Sequence, residues 1–362
     1  MRLARLTVRG FRNLADADLG LPPEGLALLG RNGQGKTSLL EAIAYPVLFR
    51  SFRTARDGEL ATFGGTGFHA GLGFERGGSA RQVAVTFRIL GRRKQLELDG
   101  VPATRVVEAA GAWLGVVFAP EDVRLASGPA AGRRLYLDRT LSLADRGYLG
   151  ALARYRGALA QRNAALRQGR GDMAQAFDRP LAEAGALVVA GRLAWVARQA
   201  EPFARALVAL GEQGGEPTLA YDGDMELAEA GAWAPRLEQA RARDLGRGVT
   251  TVGPHRDDLI LRLDGHLLRD YGSTGQVRSA AIALKLLELE TLEAATGEAP
   301  ALLLDDVFAE LDAERQRRLA TRLFGTGRRS QVFITAPRPD ELPEGLALPR
   351  WQVEAGRVVA QD

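Results

Sequence analysis

The chain contains no cysteine, so neither a disulfide framework nor a thiolate metal site is open to it. Its three histidines, His69, His255 and His266, are too few and too scattered for a histidine-rich metal centre. Lysine is almost missing as well: Lys36, Lys94 and Lys285 are the only lysines among 48 basic residues. The rest are arginines, a bias that a GC-rich genome explains without any function. The apolar stretch Leu181–Val196 is interrupted by Glu183 and Arg192, short of the roughly 18 apolar residues of a membrane span. The amino-terminal MRLARLTVRGFRNL has no apolar signal core. A cytoplasmic protein with no membrane partner is the expectation.

What is present is an ordinary globular balance. Of 362 residues, 46% are hydrophobic and 25% charged, enough for a packed core. The length suits two domains, or one with a large insertion. A net charge of +4 permits anionic partners without singling any out.

Periodicity organises the chain in three parts. Residues 1–128 alternate strands with a helix opening near Gly35. The strands include Leu26–Leu29, an antiparallel set over 67–98, and Gly115–Phe118. Residues 129–245 are rich in Ala, Leu and Arg at helical spacing, with Leu149, Leu152, Tyr155 and Leu159 on one face. Gly169-Arg170-Gly171 breaks this block, Pro180 fits a first helical turn, and Pro202 kinks or restarts the helix. Residues 246–362 return to strand and helix. They contain Leu259–Leu263 with an Asp264-Gly265 hairpin turn, a helix from Gly275, and the all-apolar strand Ala301–Leu304. A further helix follows from Asp312, then the strand Val332–Ile334. We expect an α/β head built from 1–128 and 246–362, with 129–245 inserted as a helical arm.

Gly30-Arg31-Asn32-Gly33-Gln34-Gly35-Lys36-Thr37 matches G-x-x-x-x-G-K-[ST] in full, after an apolar strand and at the start of a helix. Glycines let backbone N–H groups turn inward around phosphate oxygens, and the helix N-terminus adds partial positive charge. Lys36 supplies a point cation to the β- and γ-phosphates, and Thr37 a hydroxyl to Mg²⁺. One of three lysines thus sits where a compact ammonium matters. Leu302-Leu303-Leu304-Asp305-Asp306 is the second element. Asp305 can hold Mg²⁺ and Asp306 can polarise an attacking water, although Asp after a core strand also serves as a helix cap. Ser273-Thr274-Gly275-Gln276 is the third, read either as a helix N-cap or as a second phosphate site built from Ser273 and the Gly275 amide.

The order of these three elements, followed by Glu310-Leu311-Asp312, resembles the ABC-type ATPases. A more specific resemblance, to the RecF family of DNA-repair ATPases, rests on further segments. These are Leu6-x-Val8-x-Gly10-Phe11-Arg12-Asn13, Ser51-Phe52-Arg53, Phe118 to Asp122, Arg133-Arg134 through Leu137-Asp138, Gln161-Arg162-Asn163, Thr250 to Asp258, and Leu302 to Asp312. The resemblance implies an SMC-like ABC head, a mixed sheet around the P-loop with an antiparallel β subdomain, carrying a short helical arm. It implies a homodimer formed with ATP on double-stranded or gapped DNA, working with RecO and RecR to load RecA, and association with the nucleoid.

Residue by residue, the resemblance makes Lys36, Thr37 and Ser38 nucleotide ligands and Asp305 the Mg²⁺ carboxylate. Ser273 and Gln276 become a signature acting on the nucleotide of the second copy, and Glu310–Asp312 a D-loop. Glu121 and Asp122 lie where such proteins keep a phosphate-sensing glutamine. Asp306 departs from the more usual Glu, and Thr335 stands where many have a switch histidine. Both departures imply slow hydrolysis. Arg133, Arg134, Arg154, Arg156 and Arg162 are the basic positions for DNA on the arm, unless they are a solvated face. His255 and Arg256 are candidates for ATP or DNA contact. A transporter subunit and a cohesin-like structural protein are the competing readings. The missing histidine speaks against the first, and the short arm against the second.

Overall fold

The computed structural model describes residues 1–212, 215–309, 311–325 and 330–360. It divides into two compact units, one of Met1–Asp122 with Glu288–Asp362 and one of Val123–Leu287.

The first unit holds two six-stranded sheets. One is antiparallel, in the order Ala17–Gly20, Arg2–Arg9, Gly67–Arg76, Ser79–Arg88, Arg93–Leu98, Val101–Ala103. Its strands alternate buried and exposed residues, as a sheet wetted on one face does. The other is parallel, in the order Arg350–Glu354, Gly25–Leu29, Val332–Ala336, Ala301–Leu304, Gly115–Phe118, with Arg357–Ala360 antiparallel on its edge. Four of its strands are buried at every residue, which is why they read as continuous apolar runs. The helix Lys36–Leu48 touches both sheets and is buried nearly all round, so its apolar residues show no single face. The mixed sheet around the P-loop and the antiparallel subdomain are those expected from sequence.

Register positions the chemistry. Leu29 pairs with Ala336, Ile334 with Leu304, and Leu304 with Phe118. Gly30, Thr335, Asp305 and the turn after Phe118 therefore emerge in that order along one carboxyl edge of the parallel sheet. Open α/β sheets bind ligands at this edge.

The second unit carries the helices Ala130–Ala144, Arg146–Arg167, Asp178–Ala209 and Trp233–Arg247, and a three-stranded sheet. Its buried side chains include Tyr136, Trp195, Phe203 and Trp233. Two expectations change here. The sequence reading returns the chain to the head at residue 246. In the structure Asp258–Leu263 instead pairs antiparallel with Pro217–Asp222, and the compact unit runs on to Leu287. A short strand inside the helical block has no local signal for its partner. Pro202 does not restart a helix. Asp178–Ala209 is one 32-residue element, and Phe203, Ala206 and Leu207 extend its buried stripe past the proline. By length and composition alone this helix could cross a membrane. Half of its apolar stretch is buried, and Arg192 within it is ion-paired to Asp138 at 2.8 Å.

Candidate phosphate-binding site

The P-loop is shaped by glycine. Gly30 adopts φ 143° and Gly35 φ 116°, and a Cβ on Gly30 would lie 2.5 Å from the Val353 carbonyl oxygen. No side chain caps the helix that Gly35 begins, so its first N–H groups are free for an anion. Lys36 is 4% exposed and donates from Nζ to the Gly30 carbonyl at 2.6 Å and the Arg31 carbonyl at 3.3 Å. These are bonds that an incoming phosphate can replace. Arg31, Asn32 and Gly33 are exposed.

Two P-loop side chains are engaged by protein partners. The Gln34 side chain accepts from the Ala355 N–H at 2.7 Å, bracing the loop against the carboxyl-terminal hairpin. Ser38 donates to Asn13 at 2.8 Å, and Asn13 donates to the Gly33 carbonyl at 3.0 Å.

Thr37 donates to Asp305 Oδ1 at 2.8 Å. Asp305 is 4% exposed, and burial, with the Asp306 and Glu121 charges, pushes its carboxyl up to about 6 despite hydrogen bonds from Thr37 and Thr335. Glu121 leaves Oε2 buried with no hydrogen-bond partner among the described residues. Asp122 caps its own turn, accepting from the Ala119 N–H at 2.8 Å. Asp306 sits in the left-handed region at φ 46°. Its N–H donates to Thr335 Oγ1 at 2.9 Å, and that hydroxyl lies 3.0 Å from Oδ1 of both Asp305 and Asp306.

This surplus of negative charge suits a divalent cation. Among the described residues no three His, Asp or Glu stand close enough to hold one alone. The donor set of Thr37 and Asp305, completed by phosphate oxygens and water, is one that Mg²⁺ accepts.

A cavity of about 780 Å³ opens beside these groups. Lys36, Thr37, Ser38 and Asp306 line it, together with Arg12 and Arg53. Both arginines are tied to the fully buried Glu41. Arg12 donates two bonds of 2.9 Å, Arg53 stands at 3.6 Å, and Ser51 donates as well. Sequence reasoning did not assign Arg12, Asn13 or Glu41 a place here. The signal for Arg12 and Asn13 was the Gly-Phe-Arg-Asn segment, which does not reach Glu41.

In the second unit, Ser273 and Gln276 form a capping box. The Ser273 hydroxyl accepts from the Gln276 N–H at 3.2 Å, and Gln276 Oε1 accepts from the Ser273 N–H at 2.9 Å. Ser273 is exposed. Of the D-loop, Glu310 lies outside the described residues. Asp312 caps the helix Ala313–Phe324, accepting from the Glu314 and Arg315 N–H groups.

The basic positions divide. Arg133 is 2% exposed and grips Asp258 with bonds of 2.7 and 2.8 Å. Arg162 is 3% exposed and bonds Asp178, Asp244 and Thr250. Neither is available to DNA, a correction to the sequence reading, because each satisfies buried carboxylates from distant segments. Arg134 donates to the Asp257 carbonyl at 2.7 Å. Arg154 and Arg156 are exposed, Arg156 with one bond to Asp138. His255 is engaged at both ring nitrogens. Its Nε2 lies 2.9 Å from the Thr250 carbonyl, and its Nδ1 2.6 Å from the Tyr155 hydroxyl. Burial lowers its pKa, which favours a neutral ring that ties the loop down rather than contacting a ligand. Arg256 beside it is exposed.

Parallel sheet, P-loop and carboxylate edge together have the fold of an ABC-type ATPase head. Residues 5–109 match a family model described as an AAA domain. The chain is 40% identical to the DNA replication and repair protein RecF of Anaeromyxobacter sp. (strain Fw109-5), over 99% of both chains. It is 30% identical to a solved structure of the recombination mediator protein RecF-ATP in the RecFOR pathway, with a TM-score of 0.90 over 100% of this chain and 98% of that one. The fold alone is shared with an SMC head bound to the C-winged helix domain of ScpA, at 15% identity and a TM-score of 0.56. The chain belongs to the RecF family of DNA replication and repair proteins.

Proposed function

We propose that this protein binds Mg²⁺-ATP at the P-loop and closes with a second copy into a clamp on DNA. The observation that carries the reading is the carboxyl edge, where Lys36, Thr37 and Asp305 converge beside an anion-ready helix N-terminus. The P-loop amides from Gly30 to Gly35, with Lys36 and Ser38, hold the phosphates. Thr37 and Asp305 would hold Mg²⁺, whose charge would offset that of the phosphates. Asp306 orients the attacking water, and Glu121 reports on the γ-phosphate side.

Ser273, Gly275 and Gln276 serve the nucleotide of the other copy. Binding there exchanges the capping-box bonds of Ser273 for phosphate oxygens. The likeness to the RecF-ATP structure of the RecFOR pathway supports this reading. By family membership the clamp works at gaps and junctions in duplex DNA, in the cytoplasm on the nucleoid, with RecR and RecO and through them RecA. Arg154 and Arg156 are the exposed basic positions of the arm helix for phosphate contact. An Asp at 306 and a Thr at 335 suit a clamp that hydrolyses slowly. Phosphate release from ATP tests this. We expect slow turnover, stimulated by DNA and lost in Lys36→Ala, and steady turnover at tens per second without DNA would contradict it.

A further inference from the structure

The cavity has two unlike walls. The P-loop wall is polar and cationic, whereas the wall from residues 58–65 and Ile89 carries Ala61, Phe63 and Ile89. Phe63 is the single aromatic residue lining the cavity among the described residues. It is 105% exposed, so its ring packs against nothing among the described residues. Ile89 is 42% exposed, and Leu90 next to it 91%. A lone exposed apolar side chain needs no explanation, but two lining one cavity, with a third next in the chain, do.

The segment carrying Phe63 is held in shape although its ring is free. The Thr62 N–H donates to the Gly10 carbonyl at 2.8 Å, and the Gly65 N–H closes the turn onto the Thr62 carbonyl at 2.7 Å. The Ile89 N–H donates to the Thr66 carbonyl at 2.9 Å, joining the two apolar segments. Gly64 adopts φ 75°, which leaves Phe63 at the tip of a tight turn.

We propose that Phe63 is the platform on which the nucleotide base stacks, with Ile89 beside it. The inference rests on the reading of the cavity as an ATP site. A bound triphosphate engages the cationic wall and leaves its planar, apolar-faced base in need of cover. The exposed ring beside the same cavity supplies that cover. Stacking on one ring is tolerant of base identity, since every base has a π-face. Phe63 therefore strengthens ATP and GTP binding alike and selects neither.

Calorimetric titration of the full chain with ATP, GTP and inorganic tripolyphosphate tests this. Phe63→Ala should weaken ATP and GTP by roughly tenfold, the scale of one base–aromatic stack, and leave tripolyphosphate affinity unchanged. Phe63→Trp should restore nucleotide binding. Because the ring packs on nothing, both variants should melt like the parent protein. If the parent binds ATP and Phe63→Ala binds it equally, the proposal is overturned while the ATP reading stands. If Phe63→Ala keeps its ATP affinity and loses ATP-dependent dimerisation, the apolar mouth belongs to the contact between copies, and the proposal is again overturned. If the parent binds neither ATP nor tripolyphosphate, the ATP reading itself fails and this inference with it.

Discussion

The Thr37 hydroxyl donates to Asp305 Oδ1 across 2.8 Å, joining two residues 268 positions apart in the chain. This bond ties the P-loop helix to the carboxylate strand. Thr37 and Asp305 would together hold Mg²⁺, which would neutralise phosphate charge there. Thr37→Val should therefore abolish the Mg²⁺-dependent part of ATP affinity, whereas Thr37→Ser should retain it. Titrations with and without EDTA read the difference.

Asp305 without its cation is a buried charge at a cost. Its carboxyl is held near 6 against an ordinary 3.8, so the folded state binds its proton more tightly than the unfolded chain does. Stability from this group is full below about pH 3.8 and is lost as pH rises through about 6. At neutral pH the ionised group costs on the order of 3 kcal/mol. Asp305→Asn should raise the melting temperature of the nucleotide-free protein by a few degrees and lose all stabilisation by Mg²⁺-ATP. Scanning calorimetry in both states checks both signs. An Asn variant that melts lower than the parent contradicts the assignment of burial as the dominant cause.

Thr335 touches both carboxylates with one hydroxyl. It holds Asp306 in its left-handed conformation through the 2.9 Å bond from the Asp306 N–H. Thr335→Val should lower turnover by roughly a hundredfold or more, the scale on which a general base contributes. ATP affinity should change little, and Thr335→Ser should keep its activity. Single-turnover hydrolysis separates this positioning role from binding.

Much of this site was legible because local rules write it. A P-loop needs glycines at fixed spacing, a buried parallel strand needs an apolar run, and the capping box of Ser273 and Gln276 is a four-residue pattern. What stayed hidden depends on distant partners. Nothing near Arg133 announces Asp258, and nothing near Arg162 announces Asp178 and Asp244. The same arginine that reads as a DNA contact is a buried cation once the chain has folded. Thr335 was visible as a missing histidine, but its hold on Asp306 depends on strand order in the sheet. Phe63 had no signal at all, since its exposure follows from the turn around it.

The arginines of the second unit give a contrast that one experiment can resolve. Arg162→Ala strands Asp244, which is fully buried, and should cost about 3–5 kcal/mol in urea unfolding. Arg154→Ala should leave unfolding unchanged. It should weaken DNA binding and make the dependence of affinity on salt less steep.

In the proposed clamp, ATP closes two copies across the Ser273 signature. Sedimentation of the full chain with Mg²⁺-ATP and a gapped duplex reads this out. Two copies should sediment together on DNA only when ATP is present, and Ser273→Arg should bind ATP normally yet remain a single copy. A Ser273→Arg protein that pairs as readily as the parent, or a parent that stays single at saturating ATP and DNA, would contradict it.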